Sequence, residues 1–201
     1  MVRIQLDKIK TYAKNNHVPI MQDSGIEYIL EYIKNNNVKK ILEIGSAIGY
    51  SAIRFASINN DIEVTTIERD NNMYKEAVKN IKDNNLEDRI NIIHGDALET
   101  NIDGKYDLIF IDAAKSQYIK FFEKYKINLD KNGVIITDNL SFHGLVEDDS
   151  KTHNRNTLQL VKKIRKYIEF LKNNEEFDTE FLKIGDGISI SKFKNNTCNN
   201  L

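Results

Sequence analysis

Apolar positions in the first 35 residues recur at helical spacing: Ile9, Tyr12 and Ala13, then Ile26, Ile29, Leu30 and Ile33. Val18-Pro19-Ile20 separates the two runs, and proline does not continue a helix. The pattern predicts two helices with a turn between them. From residue 40 the period changes. Apolar runs of strand length occupy 40–44, 64–67, 90–93, 108–111 and 134–137, with helical patterns at about 50–59, 70–84 and 115–127 between them. Strands alternating with helices predict a parallel sheet covered on both faces.

The last third reads differently. Leu158, Val161, Ile164, Ile168 and Leu171 form an apolar stripe on a helix, which either covers the sheet or packs against a second subunit. Two strand patterns follow at 177–183 and 187–193, joined through Gly185-Asp186-Gly187 as an antiparallel hairpin. The expected fold is therefore α/β: a doubly wound, mostly parallel, seven-stranded sheet with a C-terminal antiparallel hairpin and extra N-terminal helices. Residues 1–193 read as one domain, in which the helices of 1–36 lie over the site. Residues 194–201 read as a polar, disordered tail.

Composition narrows the class. Hydrophobic residues make up 40% and charged residues 29% of 201, with a net charge of −1, as in a globular protein. That balance points to no nucleic-acid partner, although a near-neutral protein can still carry a local basic face. The single cysteine, Cys198, excludes an internal disulfide and a cysteine metal cluster, which suits the cytoplasm. The N-terminus lacks a signal-peptide core, and no apolar run approaches the roughly 18 residues that span a bilayer, so no membrane partner is expected.

In open α/β sheets ligands bind beyond the carboxyl ends of the strands, where strand order reverses. After the first strand stands Gly45-Ser46-Ala47-Ile48-Gly49, a glycine turn opening a helix. By itself it reads as either a ligand loop or a tight turn; it lacks one glycine of the dinucleotide fingerprint, which a nucleoside cofactor without a pyrophosphate does not require. Glu68 ends the second strand, placed to accept both hydroxyls of a ribose; its alternative role is a charge at a helix N-terminus. Asp96 ends the third, where a carboxylate can accept from an adenine amino group. His94 reads as a packed strand-end residue rather than a catalyst.

The fourth and fifth strands end in Asp112-Ala113-Ala114-Lys115 and Asp138-Asn139. These bring three hard oxygen ligands to one sheet edge, a set suited to Mg2+ or a similar cation with open positions for a substrate. With a cation held there, the Lys115 ammonium could assist as base or as charge stabiliser. Helix capping explains either aspartate alone, but not Asn139 and Lys115 with them.

Together these segments resemble the cation-dependent O-methyltransferases, the family of the catechol and caffeoyl-CoA enzymes. The likeness begins at Val18-Pro19-Ile20-Met21, runs through 42–51 and 110–115, and ends at Ile184-Gly185-Asp186-Gly187. It implies the Rossmann-like fold of class I methyltransferases, S-adenosyl-L-methionine (SAM) as cofactor, and a divalent cation. Carried over residue by residue, Met21, Glu43, Gly45, Ser51, Glu68, Asp96, Ala97 and Asp112 would bind SAM. Asp112, Asp138 and Asn139 would bind metal, and Lys115 would act beside the reacting oxygen.

The chain is most similar to the family's short bacterial branch, which implies wobble 5-hydroxyuridine in a tRNA anticodon loop as acceptor and a homodimer as the assembly. A small catechol is the alternative acceptor. The segment 142–155, with Lys162, Lys163, Arg165 and Lys166 following, could meet phosphates or simply form a solvated face. Two rival classes fit less well: a nicotinamide oxidoreductase has no task for the Asp112, Asp138 and Asn139 set, and a non-catalytic RNA binder needs no Lys115.

Overall fold

The structure, a computed structural model, describes residues 5–194. Cys198 and the rest of the predicted tail from 195 onward lie outside the described residues. Two helices, α1 (Leu6–Asn15) and α2 (Asp23–Asn35), precede five parallel strands and three helices. These are β1 (Lys40–Ile44), α3 (Tyr50–Ala56), β2 (Glu63–Glu68), α4 (Asn71–Asp83), β3 (Ile90–His94), β4 (Tyr106–Ile111), α5 (Tyr118–Tyr125) and β5 (Leu129–Thr137). The long α6 (Arg155–Lys172) then leads to the hairpin β6 (Phe177–Leu182) and β7 (Ile188–Phe193). Strand order is β3-β2-β1-β4-β5-β7-β6; β1 to β5 are parallel, and β7 is antiparallel to both neighbours.

The two-residue period of the strands sorts the core into two layers. Ile41, Leu108, Phe110, Val134, Ile136, Ile188 and Ile190 face α1 to α4. Leu42, Ile44, Ile109, Ile111 and Ile135 face α5 and α6. Each parallel strand is thus apolar on both sides, which explains its continuous apolar sequence. The α6 stripe lies on the sheet of its own chain: Val161, Ile164, Tyr167 and Leu171 are buried, with Leu158 and Ile168 half-buried.

Boundaries move where polar residues carry the chain. β5 begins at Leu129, ahead of the predicted 134, because the turn-like Asp130-Lys131-Asn132-Gly133 stays in line, with a register shift against β4 between Tyr106 and Leu108. The predicted helix at 115–127 is α5 flanked by short 3-10 turns. Both N-terminal helices pack on the sheet face beside α3; the link between them, rather than the helices, lies over the site. No described helix is long and apolar enough to cross a membrane.

Candidate active site

Strand order reverses between β1 and β4, so their carboxyl ends diverge and leave a crevice. Two adjoining cavities open there, of about 470 and 310 Å3, sharing Pro19, Gly45, Ala47, Asp112 and Ala113. Gly45 is needed at this joint. Its φ is +97°, and a Cβ would collide with the Asp112 carbonyl.

The smaller cavity collects the ends of β2 and β3: Glu68, Arg69, Gly95, Asp96 and Ala97. Glu68 accepts from Ala47 N–H at 2.8 Å and Asp70 N–H at 2.7 Å, one bond to each oxygen. Those bonds fix its carboxyl and leave a lone pair on each oxygen for a diol. Asp96 Oδ1 accepts from Leu98 N–H at 2.8 Å, which leaves Oδ2 for a ligand. His94 is exposed and stacks on Tyr74 at 4.7 Å between ring centres.

The larger cavity collects Met21, Ser51, Asp112, Lys115, Asp138 and Asn139. Asn139 Nδ2 donates to Asp138 Oδ2 at 2.7 Å and reaches Asp112 Oδ1 at 3.5 Å, which gathers the three side chains. Burial, and then the neighbouring Asp112, push the Asp138 carboxyl up to about 7. Burial likewise raises Asp112, which is half-buried and borders the cavity; the Lys115 ammonium partly opposes the shift. Asp138 Oδ1 is buried without a partner. Two desolvated carboxyls with a free oxygen are unfavourable by themselves, and a divalent cation held by Asp112, Asp138 and, with its amide turned over, Asn139 would offset that cost. These residues fit such an ion. Among the described residues no three histidine, cysteine or carboxylate side chains cluster to hold a metal; this set is two carboxylates and one amide.

Glu43 is a correction to the carried-over SAM set, because it reaches neither cavity. It is fully buried, accepting from Ser51 Oγ and, at 2.5 Å, from Thr66 Oγ, and burial pushes it up to about 7 despite those bonds. It holds Ser51, which does line the larger cavity. Arg165 is tied to the preceding loop, its Nε donating to the Val146 carbonyl and its Nη1 to Asp149. Tyr50 and Asp186, to which the sequence assigns no site role, also line the larger cavity, as does Phe142, which lies in the segment read as either a phosphate contact or a solvated face. Phe142 is a wall of the larger cavity, with the Lys115 ammonium 5.8 Å from its ring centre.

The sequence pattern described for O-methyltransferases matches residues 3–194, so the chain belongs to the O-methyltransferase family. A Staphylococcus aureus protein of caffeoyl-CoA O-methyltransferase type is similar at 45% identity and a TM-score of 0.91, over 96% of this chain and 93% of that one. A Bacillus cereus O-methyltransferase solved with SAH is 26% identical, with a TM-score of 0.79 over 94% and 90% of the two chains. The Populus kitakamiensis caffeoyl-CoA O-methyltransferase is 27% identical across 91% of this chain and 81% of its own length. The fold is accordingly the Rossmann-like sheet of class I methyltransferases.

Proposed function

We propose that this O-methyltransferase moves the methyl group of SAM to one oxygen of a vicinal oxygen pair held on a divalent cation, and that the acceptor is 5-hydroxyuridine at the wobble position of tRNA. The observation that carries the reading is the shared wall of the cavities: Asp112 borders a nucleoside-sized pocket on one side and the Asp138, Asn139 and Lys115 group on the other. The SAH-bound Bacillus cereus relative supports SAM as the donor. Glu68 and Asp96 offer acceptors to the ribose and adenine. Met21 and Ser51 border the larger cavity, where the methionine end and the acceptor would meet.

A divalent cation held by Asp112, Asp138 and Asn139 would supply the positive charge that favours release of the acceptor's hydroxyl proton to water. Lys115 places positive charge beside the oxygen that becomes negative. Phe142 gives a planar ring something to lie against, and the Pro19-Ile20-Met21-Gln22 link borders the same cavity. The carbon–sulfur bond breaks as the carbon–oxygen bond forms, and sulfur leaves with the electron pair as a neutral thioether.

A uracil 5-hydroxyl beside the 4-carbonyl is such an oxygen pair, and a wobble base in its loop is reached without opening a helix. Exposed Arg155, Lys162, Lys163 and Lys166 on α6 would meet phosphates. A catechol or other phenol is the second reading, favoured by the caffeoyl-CoA enzymes among the relatives. Nucleoside mass spectrometry of tRNA from cells with and without the gene decides between them. Loss of methoxyuridine with accumulation of hydroxyuridine is expected; unchanged methoxyuridine together with turnover of catechols overturns the RNA acceptor. The working form is taken to be a homodimer, and sedimentation showing only monomer at micromolar concentration refutes that.

A further inference from the structure

The β6–β7 turn grips the loop that follows Asp138. Leu140 N–H donates to the Gly187 carbonyl at 3.0 Å, Ser141 N–H to the Asp186 carbonyl at 2.7 Å, and His143 N–H to Asp186 Oδ1 at 2.5 Å. The gripped loop follows an unusual path. Asn139, Phe142 and His143 have φ of 66°, 49° and 58°, left-handed backbone that side chains adopt only when their surroundings impose it. Two of those residues face the larger cavity in specific roles: Asn139 gathers Asp112 and Asp138, and Phe142 forms the wall beneath Lys115.

Asp186 is only 6% exposed, borders the same cavity, and has a buried Oδ2 with no partner. A buried carboxyl left half-satisfied is unfavourable by itself, so packing alone does not account for it. We infer that Asp186 is a positioning residue for the reaction: through His143 N–H it holds the 139–144 loop, left-handed at Asn139, Phe142, His143 and Gly144, and thereby sets the Asn139 amide and the Phe142 ring. The inference rests on the cation-dependent reading above.

The test measures Mn2+ affinity by electron paramagnetic resonance, SAM affinity by calorimetry, and acceptor KM and kcat, for the wild type, Asp186→Ala and Asp186→Asn. Asparagine keeps an oxygen for His143 N–H; alanine does not. Asp186→Ala should lose roughly 10- to 100-fold in Mn2+ affinity, as outer partners of metal ligands do, and should raise acceptor KM more than it lowers kcat. SAM affinity should stay within about threefold, and Asp186→Asn should restore Mn2+ affinity to near wild type. If Asp186→Ala does not fold, Gly187→Ala takes its place. There φ is +85° and a Cβ would meet Ser141 N at 2.8 Å, so the turn is pushed off the loop with the carboxyl kept, and the same pattern is expected.

Unchanged Mn2+ affinity in Asp186→Ala overturns the inference. So does an Asp186→Asn variant as impaired as the alanine, which makes charge rather than the grip the cause, and so does an equal loss of SAM affinity. A wild type that takes up no Mn2+ refutes the cation reading itself, and this inference with it.

Discussion

Replacing Glu43 by Gln should make the protein more stable, and only above mildly acidic pH. Glu43 is fully buried, its carboxyl pushed up from 4.5 to about 7 by burial, then eased by the Ser51 and Thr66 hydroxyls. Between those two pH values the folded protein keeps a proton on Glu43 that the unfolded chain has lost. Stability therefore falls as pH rises through that window. A shift of that size corresponds to about 3 kcal/mol, fully developed above pH 7 and nearly absent below pH 4.5. Glutamine fills the same volume, accepts from one hydroxyl and donates to the other, and never ionises. Urea unfolding of both proteins in EDTA, at intervals from pH 5 to 8.5, gives the difference directly and cancels the titrating groups that do not feel the Glu43 charge. Glu43→Gln should match the wild type within about 1 kcal/mol at pH 5 and exceed it by roughly 2–3 kcal/mol at pH 8. A difference that does not change with pH refutes the burial argument, whatever its sign.

Asp138→Ala and Asn139→Ala should reduce turnover far more than SAM affinity, whereas Asp112→Ala should reduce both because it borders both cavities; equal losses of SAM affinity in all three contradict the division. Excess EDTA should abolish methyl transfer and leave SAM binding intact by calorimetry. Lys115→Ala should slow transfer by roughly 10²- to 10⁴-fold with SAM affinity nearly unchanged, measured by single-turnover kinetics. Gly45→Ala should be severe, since φ is +97° and the new Cβ would strike the Asp112 carbonyl; SAM binding by calorimetry should be lost while circular dichroism still reports a folded chain.

The parallel strands are legible in the sequence because burial on both faces makes each an unbroken apolar run, and Asp112, Asp138, Glu68 and Asp96 are legible because they stand just past those runs. Glu43 misleads for the opposite reason. It lies one residue inside β1, and strand alternation turns it to the Ile41 side of the sheet, under Ser51, rather than out of the edge. Asp186 is hidden differently: its partner His143 is 43 residues away, and only the antiparallel seating of β7 on β5 brings the two together. A positive-φ glycine on each side of an aspartate is the one signal in that turn. Arg165 reads as a free cation in any linear pattern, because Asp149 and the Val146 carbonyl come to it through the fold of the preceding loop.

The crevice splits the work along the chain. The ends of β2 and β3 hold fixed acceptors already braced by backbone N–H groups, Glu68 by Ala47 and Asp70, and Asp96 by Leu98, so that half is set before a ligand arrives. The other half takes its shape from three segments that are not parallel strands: the 19–22 link, the left-handed 139–144 loop and the 185–187 turn. Changes in those segments would alter which acceptor fits while leaving the nucleoside half untouched, because the halves meet only at Pro19, Gly45, Ala47, Asp112 and Ala113. Of these, Asp112 is the one ionisable side chain. Asp112 is therefore the single carboxyl on which both halves draw, so a substitution there reaches cofactor and acceptor together, whereas removing the cation leaves the Glu68 and Asp96 acceptors braced in place.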